Sequence, residues 1–261
     1  MLLYHFPEAT CACKVRLVLA EKQLPYDQKI LQKEELAGPE YRKINPKGVV
    51  PTLSDEGELI TESSVIMLYL DDKYPENTLT PDTVKRRLDM HRWMKFVDDD
   101  GLHALGAITY TTYLRPKLLT LTDSQKSAVL SAVSNPINRY RREMWINKGI
   151  EADDIPYSMT ILADLLSRVD AAISRDKWLT GSTYSLADAA VTPFFHRLEL
   201  LGLLDVMSTP DSQHLDWWQR IKARPSYGEV FLTQASTEYK EQLRTAVRPH
   251  LAQLMAYLDA G

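Results

Sequence analysis

The spacing of apolar residues changes period along this chain, and the change divides it. Leu2-Leu3-Tyr4 is a short apolar run that predicts a strand. Over residues 12–22, Val15, Val18 and Leu19 recur at i, i+3, i+4, the spacing of an amphipathic helix. Leu24-Pro25 stops that helix, and residues 26–31 read as a second strand. Residues 34–44 are mostly polar and read as one short helix. Residues 51–53 and 58–60 flank Asp55-Glu56-Gly57, a hairpin pattern with glycine in the turn. Val65, Ile66, Leu68, Tyr69 and Leu70 predict a helix over 64–73. Strand-helix-strand-helix-strand-strand-helix predicts a small mixed sheet with helices on both faces.

Beyond Tyr74 the alternation stops. Tyr74-Pro-Glu-Asn-Thr-Leu-Thr-Pro81 joins two prolines through polar residues, the composition of a linker. The expected division is an α/β domain over 1–76, a linker over 77–81 and an all-helical domain over 82–261. Residues 81–113 carry Leu88, Trp93, Phe96, Val97 and Leu102 at roughly helical spacing, and 124–145 continue the pattern. Residues 147–156 read as a polar loop. Residues 159–173 place Ile161, Leu162, Leu165, Leu166, Val169 and Ile173 on one helix side. In Ser185-Leu-Ala-Asp188 the serine and the acid can cap each other's backbone, a helix start expected to lie at the buried centre of the second domain. The tail Leu243, Val247, Leu251, Leu254, Leu258 has one apolar face, expected to pack on the helical domain, with covering of a cleft as the alternative.

Composition narrows the function classes. A net charge of −4 over 261 residues gives no general attraction to nucleic acid or anionic membranes, and neither partner is expected. There is no run of eighteen apolar residues and no secretory leader pattern ahead of the first strand, so a cytoplasmic protein is expected. Cys11 and Cys13, the two cysteines, have the wrong spacing for a zinc knuckle or a C-x-x-C redox pair, and no metal is expected.

The chemistry concentrates in Asn45-Pro-Lys-Gly-Val-Val-Pro51-Thr-Leu and Leu59-Ile-Thr-Glu62-Ser63-Ser64. Pro51 stands where a strand should begin, and an X-Pro bond is the place where a cis peptide is accessible. A cis bond there turns the Val50 backbone outward to pair with a peptide-like ligand. Glu62-Ser63 opens a helix, where backbone N–H groups and a hydroxyl suit a carboxylate. Together the two stretches read as a socket for a small peptide with a free carboxylate.

These residues resemble those of the cytosolic-type glutathione transferases. Leu3-Tyr-His-Phe…Cys13-Lys-Val-Arg, Arg87…Met90…Trp93-Met-Lys-Phe-Val97-Asp and Gly181…Tyr184-Ser-Leu-Ala-Asp188 match at family spacing. The resemblance implies a thioredoxin-like first domain, an all-helical second domain, glutathione as co-substrate and a homodimer. By it, Val50 and Pro51 hold the cysteinyl part of glutathione, Glu62 and Ser63 the γ-glutamyl end, and Lys47 the glycine carboxylate. Activation of the thiol falls to Thr10 or Cys11 at the loop-to-helix junction, and the electrophile is expected against His103, Tyr110 and Tyr113. Two branches compete. Arg87…Asp98 and Asn135-Pro-Ile137…Arg141-Arg142 resemble the bacterial β-aryl-etherases, which implies conjugation with a small aromatic electrophile. Cys11…Lys14-Val-Arg16 and His196-Arg-Leu-Glu-Leu-Leu-Gly202 resemble reductive dehalogenases, which implies a reactive Cys11. A socket that binds glutathione without turnover is the third alternative.

Overall fold

The computed structural model describes residues 1–233 and 237–259. Strand β1 (Leu2–His5) runs into helix α1 (Thr10–Glu21), β2 (Asp27–Ile30), α2 (Lys33–Ala37) and α3 (Pro39–Ile44). The hairpin β3 (Thr52–Asp55) and β4 (Glu58–Thr61) leads into α4 (Ser63–Lys73). The sheet order is β2-β1-β3-β4, with β1 parallel to β2 and antiparallel to β3. This is a thioredoxin-like domain, and the named elements that follow it are all helices. The expected single helix over 34–44 is two, because Gly38 takes an extended conformation and Pro39 starts the next helix.

The helical part opens with α5 (Val84–Phe96), α6 (Leu102–Thr109) and α7 (Arg115–Leu119), joined without a break by wide turns at Val97–Gly101 and Tyr110–Leu114. Helices α8 (Asp123–Ser131) and α9 (Pro136–Lys148) form a corner at Asn135, whose side chain accepts from the Ile137 and Asn138 N–H groups. The pattern read as continuous over 124–145 therefore breaks at a capped proline start. The expected loop over 147–156 is instead the end of α9, one tight turn and the start of α10 (Ile155–Ile173). Then come α11 (Leu186–Leu201), α12 (Leu203–Met207), α13 (Gln213–Lys222), α14 (Pro225–Tyr227), α15 (Thr237–Val247) and α16 (Leu251–Asp259).

Helix α11 is the centre of the helical domain, as its motif predicts. The Asp188 carboxylate accepts from the Ser185 N–H (3.0 Å), the Ser185 hydroxyl (2.9 Å), the Leu179 N–H (3.1 Å) and the Trp217 indole (2.9 Å). In the tail, Leu243, Val247 and Leu254 are fully buried, α15 packing on α11 and α16 on α10, so the tail belongs to the core.

Helix α1 joins the two halves, packing on α4 on one side and on α11 on the other. Its polar side chains fasten it. Arg224 meets Glu21 through two bonds of 2.6 Å, and Arg16 donates to the Val230 carbonyl at 3.1 Å. At its end, Lys22 donates to Asp71 at 2.8 Å and to the Glu76 and Asn77 carbonyls. Asp71 also accepts from the N–H groups of Leu79 and Thr80, both at 2.9 Å, so one carboxylate pins the connecting segment.

Burial works against ionisation of Asp71, but the bonds from Lys22, Leu79 and Thr80 outweigh it and hold its carboxyl below the ordinary 3.8. Its ionised form therefore stabilises the fold above that value, and the contribution is lost as pH falls through the lowered pKa. Lys22→Met leaves a buried carboxylate without its cation and is expected to cost about 3–5 kcal/mol in urea unfolding at pH 7. The deficit should shrink in acid below 3.8, where the wild-type pair is itself being lost.

Candidate active site

The loop ahead of β3 is held by its own polar residues. The Tyr41 hydroxyl and the Asn45 amide both donate to the Val49 carbonyl at 2.8 Å, and Asn45 reaches the Thr52 hydroxyl at 3.1 Å. Gly48 has φ 63°, and a Cβ there would meet the Leu36 carbonyl oxygen at 2.7 Å, so only glycine fits. From the helical half, the Ser134 hydroxyl donates to the Lys47 carbonyl at 2.8 Å. The Val50–Pro51 bond is cis. With Val49 gripped on both sides, the Val50 N–H and C=O are left without a hydrogen-bond partner among the described residues.

Strand register brings the next pieces alongside. Thr52 pairs with Thr61, so Pro51 faces Glu62 one step beyond the ladder. Glu62 sits at φ 66°, ψ 112°, a strained conformation for a residue with a Cβ. Its carbonyl accepts the first bond of α4, from Ile66, but its side chain does not cap the helix. It meets Lys47 at 2.5 Å instead. Ser63, at the first turn of α4, is buried.

Helix α1 begins beside α4. Its first residue is Thr10, and Ala9, just before it, has no side chain able to cap. By contrast Thr83 caps α5, Thr122 caps α8 and Asn135 caps α9. The first amide groups of α1 are thus open, with the positive end of the helix dipole behind them. The Thr10 hydroxyl makes no hydrogen bond to a described residue, and Thr10 lines a cleft against α11.

Cys11 turns the other way, towards Ser63 and Glu62. Burial pushes its thiol pKa up; Lys14 and the Ser63 hydroxyl lower it by less, and Asp98 and Glu62 add to the rise. The half-buried Cys11 is therefore a neutral thiol at pH 7, unlike the lowered thiol expected of an open helix start. Cys13 is buried, donates to the Pro7 carbonyl at 3.1 Å and is pushed up to about 11, chiefly by burial.

Beneath the site lies a buried cation that sequence reading missed. Lys14 is fully buried, 2.5 Å from Asp98 and 2.9 Å from the Ser64 hydroxyl, tying α1 to α4 and to the first wide turn of the long helix. The signal was present, a lysine on the apolar face of a helix, but it reads as a surface residue until a partner is in view.

The three aromatic candidates separate. His103 lies 3.1 Å from Asp154 and stacks on Trp145, and Tyr110 packs on the same indole. Both turn towards α9 and α10, and neither lines the cleft beside Thr10. Tyr113 meets Tyr239, which does line it, edge to face at 5.9 Å. The cleft also holds Arg197, which the sequence pattern did not single out. No group of three or more His, Cys, Asp or Glu among the described residues is placed to hold a metal.

The strain at Glu62 has a measurable consequence. Glu62→Gly should unfold at a higher urea concentration than Glu62→Ala, by about 1–2 kcal/mol, because only glycine relaxes at φ 66°. Equal midpoints would mean that the position carries no strain.

Comparison with known proteins agrees with this geometry. Residues 3–78 match the glutathione S-transferase N-terminal domain and residues 121–225 the glutathione S-transferase C-terminal domain. Protein LigF of Sphingobium sp. is 27% identical over 88% of this chain and 92% of its own length. The zeta-class glutathione S-transferase of Euphorbia esula is 36% identical over 74% of each. Among solved structures, the beta-etherase LigF of Sphingobium superposes with a TM-score of 0.80 at 26% identity, over 88% of this chain and 98% of that one. An uncapped helix start and an unpaired Val50 main chain fit this fold, and the matching domains and relatives make the chain a member of the glutathione S-transferase family.

Proposed function

We propose that this transferase conjugates glutathione with a small aromatic electrophile, and that the thiolate is held by the Thr10 hydroxyl and the open amides of α1. The observation that carries this reading is the uncapped start of α1, with an unengaged hydroxyl on its first residue. The cysteinyl backbone of glutathione pairs with Val50, beside Pro51. The γ-glutamyl carboxylate takes the Ser63 hydroxyl and the first amides of α4, and Glu62 takes the γ-glutamyl amine. Lys47, now paired with Glu62, turns to the glycine carboxylate.

Lowering a thiol pKa by two units takes about 2.7 kcal/mol. One hydrogen bond to an anion contributes about 1.5–3 kcal/mol, and a helix start about 0.3–1 kcal/mol. Together Thr10 and α1 offer about 1.8–4 kcal/mol, a range that brackets the amount required. The thiolate attacks carbon, a C–S bond forms, and the leaving group departs with its electron pair. With an aryl ether the leaving group is an aryloxide, the chemistry suggested by the likeness to the Sphingobium beta-etherase. Of the aromatic candidates, Tyr113 is proposed to meet the electrophile, through its contact with Tyr239; His103 and Tyr110 pack on Trp145 instead.

The rest of the reading is equally our proposal. Residues 1–76 and 82–261 form two domains joined by 77–81. The exposed Leu59, Val65, Val84 and Leu88 on β4, α4 and α5 support a homodimer. Two free cysteines support a cytoplasmic setting.

Thr10→Val should lower kcat/KM about 10- to 100-fold, while Cys11→Ser stays within about threefold of wild type. The product, identified by mass spectrometry, should be a glutathione thioether. Loss of turnover in Cys11→Ser together with oxidised glutathione as product would instead establish reductive chemistry through Cys11.

A further inference from the structure

The cleft between the start of α1 and α11 is open to solvent, with about 370 Å³ of empty space when its open mouth is counted. Its walls are apolar, with Leu200, Val230, Phe231 and the ring of Tyr239 facing one another. Among them stands a guanidinium. Arg197 is only 8% exposed, and it donates to the Tyr239 hydroxyl at 2.7 Å and to the Glu8 carbonyl at 2.8 Å. Both partners are neutral oxygens, and no carboxylate lies within ion-pair distance of it among the described residues.

A cation this deeply buried is costly unless an anion compensates it. Two other buried cations follow that rule, Lys14 with Asp98 and Lys22 with Asp71; buried Arg16 meets the Pro7 and Val230 carbonyls instead, and it does not line the cleft. The other groups around the cleft do not supply an anion. His196 is neutral, its pKa lowered to about 3 by burial and then by Arg197, Lys240 and Lys222. Glu8 is the single acid in the lining, and it gives Arg197 its main-chain carbonyl while its carboxylate stays beyond 4 Å.

We propose that Arg197 receives a carboxylate of the second substrate, so that the transferase selects small aromatic electrophiles that carry an acid group. The substrate class rests on the conjugation reading above; the preference of the cleft for an anion does not. The aryl body fills the apolar walls, and the carboxylate lies against the guanidinium in place of the missing counter-ion. Thr10 lines the same cleft, so an electrophile anchored there presents its ring to the sulfur.

Two measurements test this. The first needs neither a variant nor glutathione: benzoate should bind the wild-type chain at least 10-fold more tightly than benzamide in isothermal titration. The second compares chloronitrobenzoate with its methyl ester, both of which lose chloride to the thiolate. Wild type should favour the acid, and Arg197→Met should lower the acid-to-ester ratio of kcat/KM by about 10- to 100-fold. Arg197→Lys should keep part of the preference, and Glu8→Gln should raise it. Equal binding of benzoate and benzamide overturns the proposal. So does an equal loss for acid and ester in Arg197→Met, which would assign the guanidinium to the thiolate or to the fold. Should glutathione fail to bind while benzoate outcompetes benzamide, the conjugation reading falls and the anion site stands.

Discussion

Everything in this site depends on a helix that starts without a cap. Ala9 offers no side-chain oxygen to the first turn of α1, so that turn keeps its donors and its positive dipole for a ligand. A ligand with a developing negative charge supplies what the sequence withholds. α4 repeats the arrangement, because Glu62 spends its carboxylate on Lys47 and leaves the amides beyond it open. Two open helix starts and the unpaired Val50 main chain belong to one small domain, and the proposed occupant is a tripeptide with charged ends and a sulfur between them.

Such a site holds its shape only if α1 cannot shift. Its side chains reach into the helical half, through Lys14 to Asp98, Arg16 to Val230 and Glu21 to Arg224, and Lys14 also reaches Ser64 on α4. Its far end is fixed by the Lys22–Asp71 pair, which also sets the connecting segment. The helical domain adds a grip on the binding loop itself, where Ser134 holds Lys47 and Arg42 donates to the Ala132 carbonyl at 2.9 Å. The proposed binding residues therefore sit on the elements that these contacts fasten, and a change in the packing of α1 is expected to reach the proposed position of the sulfur.

Much of this was legible before any coordinates. Strand and helix order in the first domain follows from apolar period and turn residues, and the Ser185-to-Asp188 box marks the central helix of the second. The Val50–Pro51 and Glu62-Ser63 stretches carry strong local signals, since proline at a strand start and an acid-hydroxyl pair at a helix start are unusual for folding alone. What escaped was long-range. Lys14 and Arg197 look like surface cations in sequence and become internal only through partners far along the chain. His103 and Tyr110 fall on the helix expected to border the substrate, and both rings pack on Trp145. The split of residues 34–44 and the corner at Asn135 turn on single Gly-Pro and Asn-Pro steps that a count of apolar residues passes over.

The central claim is that the start of α1 stabilises a thiolate. Its most direct test is the pKa of bound glutathione, followed by the ultraviolet absorbance of the thiolate as pH is raised on the wild-type complex. The account predicts a bound pKa about two units below that of free glutathione, with most of the shift lost in Thr10→Val. A bound thiol that titrates at the same pH as the free tripeptide would contradict it.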